Sequence, residues 1–375
     1  MQKRICRCTT DQFEQLLGLI KDQGFKLIGP TVRDEAITYN EIQSAQELPI
    51  GWADEQAPGH YRLKHRNDKA YFGYNLGQDS WKKFLLPPRE KLWTARKTDN
   101  KLVAFQEVLP PEEKMAFIGV RACEIQAIVV LDKVFKHKLA VYQQYQRRRD
   151  HTFIMAVNCT TAASTCFCVS MQAGPEVTKE YDLALTEVIN EKEHYFLVAA
   201  GSVLGESLCE TLQLPPAKEE ECQSGRALVE KTKEQMGRQV DNANVQEVLR
   251  NTYHSKRWDE VATRCINCAN CTMVCPTCFC SDTEDKVSVD GTQVEHIQRW
   301  ESCFNLSHSA IHGGSIRTSA ESRYRQWLTH KFGTWWDQFG VSGCIGCGRC
   351  IVWCPVGIDV TEELKKLQKE YFGLD

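Results

Sequence analysis

Two cysteine runs with identical spacing constrain what this chain can fold into. The first run extends from Cys265 to Pro276 and the second from Cys344 to Pro355, and both read C-x2-C-x2-C-x3-C-P. This spacing is typical of two-cluster ferredoxins, in which the first three cysteines bind one cubane iron–sulfur cluster and the fourth binds the other. Zinc also takes four thiolates, but its usual signature is two separated C-x2-4-C pairs. The doubled run therefore favours two [4Fe-4S] clusters.

Because the fourth cysteine of each run serves the other cluster, the ligands divide into two crossed sets. The first set is Cys265, Cys268, Cys271 and Cys354; the second set is Cys344, Cys347, Cys350 and Cys275. Each fourth cysteine has to reach across to the other run. We therefore expect the two runs to lie side by side, with the long insertion at residues 277–343 looped out between them.

Composition narrows the class of protein. The chain has 375 residues, enough for two or three domains, and a formal net charge of −3. This charge favours neither a nucleic-acid partner nor an anionic membrane surface. Nineteen cysteines without an apolar leader segment favour metal binding in a reducing compartment over a disulfide framework. No apolar stretch is long enough to cross a bilayer, so we expect a cytoplasmic protein that meets a membrane only through partners.

Four further cysteines form a candidate third set, which would hold a third [4Fe-4S] cluster. They are Cys123, Cys159, Cys166 and Cys168. Two of them follow predicted strands, at residues 115–120 and 153–157, and α/β folds place ligands in crevices at strand ends. Alternatively, Cys166 and Cys168 face opposite sides of a short strand, and Cys123 packs as a small apolar residue.

The predicted fold class is α+β, with two domains. Residues 1–245 read as a mixed α/β domain, and residues 246–375 as a two-cluster ferredoxin-like domain that carries the insertion. Helical periodicity marks residues 11–23, 125–135, 245–261 and 360–372. Short strands are predicted at 61–63 and 70–74. Cys6 and Cys8 are expected to be non-ligands in a frayed terminus.

The insertion carries three more cysteines and a basic stretch. Cys278, Cys280 and Cys303 are one short of a cysteine-only cluster, so we expect them to shape the cluster pocket by weak S–H hydrogen bonds or by excluding water. The basic residues between Arg299 and Lys331 would dock a partner or offset negative cluster charge. A solvated surface is the alternative.

Several common catalytic motifs are absent from the sequence. No G-x-G-x-x-G, Walker A, G-x-S-x-G or H-E-x-x-H motif occurs. We therefore predict no catalytic residues and no nucleotide site. The chain has the parts for moving electrons and none for binding an obvious substrate.

Several stretches resemble the iron–sulfur beta subunit of cytosolic nickel–iron hydrogenases (sulfhydrogenases) and the iron–sulfur electron-transfer subunit of anaerobic sulfite reductase. They are residues 28–30 (IGP), 80–85 (SWKKFL), 119–124 (GVRACE), 166–168 (CFC), 275–280 (CPTCFC), 299–300 (RW), 330–332 (HKF) and 347–350 (CGRC). The family usually has proline and aspartate where this chain has Ala122 and Glu124. The resemblance covers most of the chain and strengthens the case for the third set.

The resemblance implies an electron-transfer subunit. One partner would be a flavin- and NAD(P)-binding reductase subunit, and the other a catalytic subunit carrying nickel–iron or sirohaem. The flavin would split hydride chemistry into single electrons for a relay. Alternatives are an electron-transfer subunit of the anaerobic sulfite reductase type, a self-contained flavin-dependent iron–sulfur oxidoreductase, and a redox-sensing or assembly module.

Overall fold

The structure is a computed structural model that describes residues 4–97, 103–137 and 140–374. Its strands are β1 (Ile5–Thr9), β2 (Lys26–Arg33), β3 (Ala36–Glu41), β4 (Trp52–Ala57), β5 (His60–His65), β6 (Arg89–Lys97), β7 (Val103–Glu107), β8 (Met115–Arg121), β9 (Lys136–His137), β10 (Ala140–Val141), β11 (Thr152–Val157), β12 (Leu183–Ile189), β13 (His194–Ala200), β14 (Ser281–Val287), β15 (Gln293–Trp300), β16 (Ala310–Ile311) and β17 (Gly314–Ser315).

Helices follow the strands in the N-terminal part and dominate the C-terminal part. They are α1 (Thr10–Asp22), α2 (Lys82–Leu85), α3 (Ala122–Phe135), α4 (Gln143–Asp150), α5 (Val203–Thr211), α6 (Glu219–Glu234), α7 (Val245–Asn251), α8 (Arg257–Ala262), α9 (Asn270–Met273), α10 (Ala320–Thr329), α11 (Trp335–Phe339), α12 (Arg349–Val352) and α13 (Val360–Phe372). Short 3-10 turns occur at Ala45–Glu47 and Ser307–Ser309, and a π-helical turn at His330–Thr334.

A seven-stranded sheet organises the N-terminal part, in the order β1-β13-β12-β11-β8-β2-β3. The four central strands are parallel, and antiparallel strands close both edges. All seven residues of β8 are buried, as expected for a strand covered on both faces. Because β8 and β11 are parallel neighbours, their carboxyl ends meet at one edge of the sheet. That edge receives the segments that carry Cys123 and Cys159.

A second sheet joins the insertion to the N-terminal part. Its order is β14-β15-β6-β7, and all three pairings are antiparallel. Two of its strands come from residues 89–107 and two from the insertion. The insertion is therefore anchored by backbone hydrogen bonds to a hairpin almost two hundred residues earlier in the chain. The division of the chain at residue 245 stays a prediction.

The α+β class is confirmed, and most predicted elements form within a few residues of the expected bounds. Two of the predicted elements are wrong. Residues 70–74 are not a strand, because the amides of Tyr71 and Phe72 donate to the buried carboxylate of Glu187 at 2.7 and 2.9 Å instead of to a neighbouring strand. The helix predicted at 245–261 is two helices, α7 and α8, and the Trp258 indole caps the break by donating to the Thr252 carbonyl at 2.8 Å.

The prediction of a frayed terminus around Cys6 and Cys8 is also wrong. Both lie in β1, which pairs with β13, and their exposed fractions are 4% and 0%. Alternate residues of a strand share one face, and this face packs on Phe13 and Cys209 in the core of the large sheet. No helix in the described part of the chain is long and apolar enough to span a membrane.

Candidate metal centres

The two cysteine runs adopt the same loop conformation. Asn267 and Ala269 of the first run have φ of 55° and 66°, and their counterparts Gly346 and Gly348 have φ of 68° and 75°. Such angles are uncommon for residues other than glycine. In each run a short helix, α9 or α12, then carries the third cysteine. The sequence repeat is therefore a structural repeat, and the left-handed residues turn the backbone around a shared centre.

The first set lines one cavity. Cys265, Cys268 and Cys271 of the first run face Cys354 of the second run across it. The remaining wall is largely apolar and includes Phe304, Tyr324 and Trp327, together with Cys350 and several aliphatic side chains. The fourth cysteine of the second run thus reaches the first run, in the crossed arrangement that the spacing predicts.

Two features of this cavity fit an iron–sulfur cluster. Tyr324 and Trp327 are buried in its wall, and their hydroxyl and indole N–H groups have no hydrogen-bond partner among the described residues. Buried donors are normally paired, so these two fit a group whose sulfur atoms accept hydrogen bonds. The Ile358 amide also donates to the Cys354 sulfur at 3.3 Å, as amides do around cluster thiolates.

The second set gathers around Cys275, which comes from the first run. Cys350 interacts electrostatically with Cys344, Cys347 and Cys275, and burial raises its pKa well above the usual value. The Gly346 amide donates to the Cys344 sulfur at 3.4 Å. In the first run, the backbone of Asn267 makes the equivalent hydrogen bond to Cys265. In both runs, the backbone two residues after the first cysteine therefore donates to that cysteine's sulfur.

Two buried lysines surround Cys275. Lys331 Nζ donates to the Cys275 sulfur at 3.2 Å and to Thr277 Oγ1 and the Gly343 carbonyl at 3.1 Å. Burial opposes its charge, but the sulfurs of Cys275 and Cys278 outweigh this and raise its pKa. Lys82 donates to the carbonyls of Cys275 and Cys278 at 2.9 Å and lies 3.9 Å from the Trp300 ring centroid. Sequence reasoning missed Lys82 and placed Lys331 in a surface stretch.

The candidate third set also comes together. Cys123 lies in the first turn of α3, directly after β8, and Cys159 follows β11, so the parallel strands bring both thiols to one edge. Cys168 interacts electrostatically with Cys166 and Cys159, and Cys123 with Cys168 and Cys159. The alternative in which Cys166 and Cys168 face opposite sides of a strand does not apply, because residues 158–182 form no strand.

The loop of the third set packs directly on the second run. Phe167 N donates to the Gly346 carbonyl at 2.9 Å. A Cβ at Gly346 would lie 2.5 Å from the Phe167 carbonyl oxygen, and one at Gly348 would lie 2.6 Å from that of Thr165. Only glycine fits at such separations. The close approach explains both glycines of the second run, whereas the first run, which lacks this neighbour, has Asn267 and Ala269.

A buried ion pair links the same two regions. Arg349 of the second run donates to Glu124 Oε1 at 2.6 Å, and both side chains are 1% exposed. Glu124 also accepts from Tyr39 Oη at 2.9 Å and from Trp81 Nε1 at 3.0 Å. Glu124 follows Cys123 directly, so this network fixes the start of α3 against the second run. Glu124, at the position where the family usually has aspartate, is therefore fully paired.

Comparisons with known proteins identify a matching family model and a relative of this chain. Residues 264–358 match the family model of the 4Fe-4S dicluster domain. Over 370 residues the chain is 25% identical to Sulfhydrogenase 2 subunit beta of Pyrococcus furiosus, a match that covers 98% of this chain and 99% of that protein. The chain is related to a hydrogenase beta subunit. The resemblance to a hydrogenase beta subunit stated from the sequence is thereby confirmed, and the dicluster domain contains both cysteine runs.

The remaining sequence predictions concern the individual ligands, the basic stretch and the cysteines of the insertion. The individual ligand assignments stay predictions. The basic stretch does not form one exposed face: Arg323 and Lys331 are buried, and Arg299 pairs with Asp282 at 3.1 Å. Cys278 forms a hydrogen bond with Cys275, as expected of a residue that shapes the pocket. Cys280 and Cys303 instead pair with each other.

Proposed function

We propose that this chain is the electron-transfer subunit of a multisubunit oxidoreductase. It would relay single electrons from a reductase subunit that binds flavin and NAD(P) to a hydrogenase-type catalytic subunit, or in the reverse direction. The observation that carries the proposal is the serial arrangement of three cysteine sets, with the second set between the other two. The name of the Pyrococcus furiosus relative, a sulfhydrogenase subunit beta, supports an assembly of this kind.

Electrostatic interactions between cysteines of different sets support their order. Cys271 of the first set interacts electrostatically with Cys275 and Cys350 of the second. Cys347 of the second set interacts with Cys123 and Cys168 of the third. A bound [4Fe-4S] cluster supplies one-electron chemistry in each position. The protein residues hold the sets close together, exclude water through the apolar walls and supply the hydrogen bonds that adjust potential.

Replacing Cys347 by serine tests the relay at its middle position. In the purified complex, we expect electron transfer from NAD(P)H to the catalytic subunit to fall to a small fraction of the wild-type rate, because the second set loses a thiolate. The measurement is the steady-state rate at equal concentrations of assembled complex. Cys222→Ser is the matched control, because Cys222 lies in α6 and belongs to none of the three sets. An undiminished rate in the Cys347 variant would show that the relay is wrong.

The iron content tests the third set separately. If all three sets hold clusters, anaerobically purified protein should contain about twelve iron atoms and about twelve acid-labile sulfides per chain, since four thiolates hold each four-iron cluster. Replacing both Cys166 and Cys168 by serine should remove about four of each. Wild-type protein with about eight of each would restrict the chain to the two clusters of the dicluster domain.

A further inference from the structure

Three side chains outside the cysteine sets converge at the end of the second sheet. Cys280 immediately precedes β14, and the Glu301 amide at the end of β15 donates to the Cys280 carbonyl at 2.8 Å. A turn follows, closed by the Asn305 amide donating to the Ser302 carbonyl at 2.9 Å. This turn returns Cys303 to the Cys280 side chain. The Cys280 and Cys303 side chains therefore meet at the end of the hairpin, where they form a side-chain contact.

The Cys280 sulfur accepts hydrogen bonds from two neighbours. The Cys303 thiol is the stronger influence and the His308 imidazole the next, and together they lower the pKa of Cys280. The same contact raises the pKa of Cys303. Nearby, His330 lies within electrostatic range of Cys280, and its own ring contacts the Gln338 side-chain oxygen at 3.1 Å. Two neighbouring thiols beside an imidazole have the composition of a dithiol exchange site.

Exposure distinguishes these thiols from inert structural cysteines. Cys280, Cys303 and His308 are all partly exposed, whereas Cys209 and Cys222 are buried. Among the described residues, no three His, Cys, Asp or Glu side chains are arranged to hold a single metal ion. Reactive cysteines are typically partly accessible and lie beside positively charged or polarising groups. The turn that carries Cys303 is polar and exposed at Asn305 and Ser307, so a small molecule can approach.

We propose that Cys280 and Cys303 form a redox-active dithiol that exchanges with a small disulfide substrate. The Cys280 thiolate attacks one sulfur of the substrate; the substrate S–S bond breaks, and one thiolate leaves and takes up a proton. The Cys303 thiol then loses its proton and attacks Cys280 Sγ in the mixed disulfide, which releases the second substrate thiol. The protein pair is oxidised by two electrons to the Cys280–Cys303 disulfide, and the substrate is reduced to two thiols. A small dithiol reverses the sequence. The site goes beyond the relay and does not require it.

The test uses the full-length, iron-loaded chain and glutathione as the probe. Protein equilibrated anaerobically with graded ratios of oxidised to reduced glutathione is alkylated, digested and analysed by mass spectrometry. We expect a Cys280–Cys303 linked peptide that increases with the oxidised ratio. It should be lost in Cys280→Ser and Cys303→Ser. Cys303→Ser should instead retain one glutathione on Cys280, because the resolving thiol is missing, and Cys222→Ser should behave as wild type.

Three results would overturn the proposal. One is the absence of the linked peptide at the most oxidising ratio. Another is a Cys303→Ser protein that traps no glutathione on Cys280. The third is a loss of about four irons per chain in either serine variant, because that would make the thiols cluster ligands. The readout is thiol oxidation state, so failure of the electron relay would leave it unchanged.

Discussion

Replacing Arg349 by methionine is expected to lower the free energy of unfolding by about 3–5 kcal/mol. Removing one partner of a buried ion pair leaves the other charge uncompensated. Such a change typically lowers the free energy of unfolding by about 3–5 kcal/mol. Here the remaining charge is Glu124, which is 1% exposed. The arginine also donates to the carbonyls of Gly77 at 3.0 Å and Asp79 at 2.7 Å, so two further buried acceptors lose a partner.

The measurement is the urea unfolding midpoint at equal iron content, because bound clusters make unfolding depart from two states. Arg250→Met is the matched control: Arg250 pairs with Asp337 at 2.8 Å, but both side chains are at least half exposed. Such a pair contributes at most about 1 kcal/mol. Adding Glu124→Gln to the Arg349 variant should restore part of the loss, since the buried charge is removed. Equal midpoints for the Arg349 and Arg250 variants would contradict the prediction.

The approach of each fourth cysteine to the other run could be predicted, because the spacing of the cysteines is a local property of the sequence. Three cysteines with two residues between successive members need a loop that turns around one point, and the left-handed residues Asn267 and Ala269 provide it in the first run. The proline-adjacent fourth cysteine then points away from that loop. Such local geometry depends on neighbours in the sequence, so it can be inferred without knowing the tertiary fold.

Long-range packing could not be predicted in this way. Cys6 and Cys8 are core residues only because β13, almost two hundred residues later, pairs with β1. Similarly, β15 pairs with β6, which ties the insertion to the N-terminal part. Neither partner is encoded near the residues concerned. The same limit explains Lys331: a lysine in a basic stretch is usually solvated, and only the tertiary structure places its ammonium against Cys275.

The Lys331 ammonium is also expected to affect the reduction potential of a cluster bound by the second set. Replacing Lys331 by methionine is expected to lower the potential of the cluster held by the second set by at least about 60 mV, one tenfold change in a one-electron equilibrium. A reduced cluster carries one more negative charge, so a buried cation 3.2 Å from the Cys275 sulfur would stabilise it more than the oxidised cluster. Methionine keeps a similar length and apolar stem but removes the charge and the hydrogen bond.

The potential can be measured by redox titration followed by electron paramagnetic resonance. Lys331→Arg should retain most of the wild-type potential, because it keeps the charge. Lys83→Met is the matched control: Lys83 pairs with Asp79 at 2.5 Å near the surface and does not contact Cys275. If the Lys331 and Lys83 methionine variants titrate at the same potential, the ammonium does not adjust the second set. A shift confined to the Lys331 methionine variant would show that this lysine helps to set the reduction potential of the second set. The backbone amides of the second run would contribute to the same potential, which is the middle one of the proposed relay.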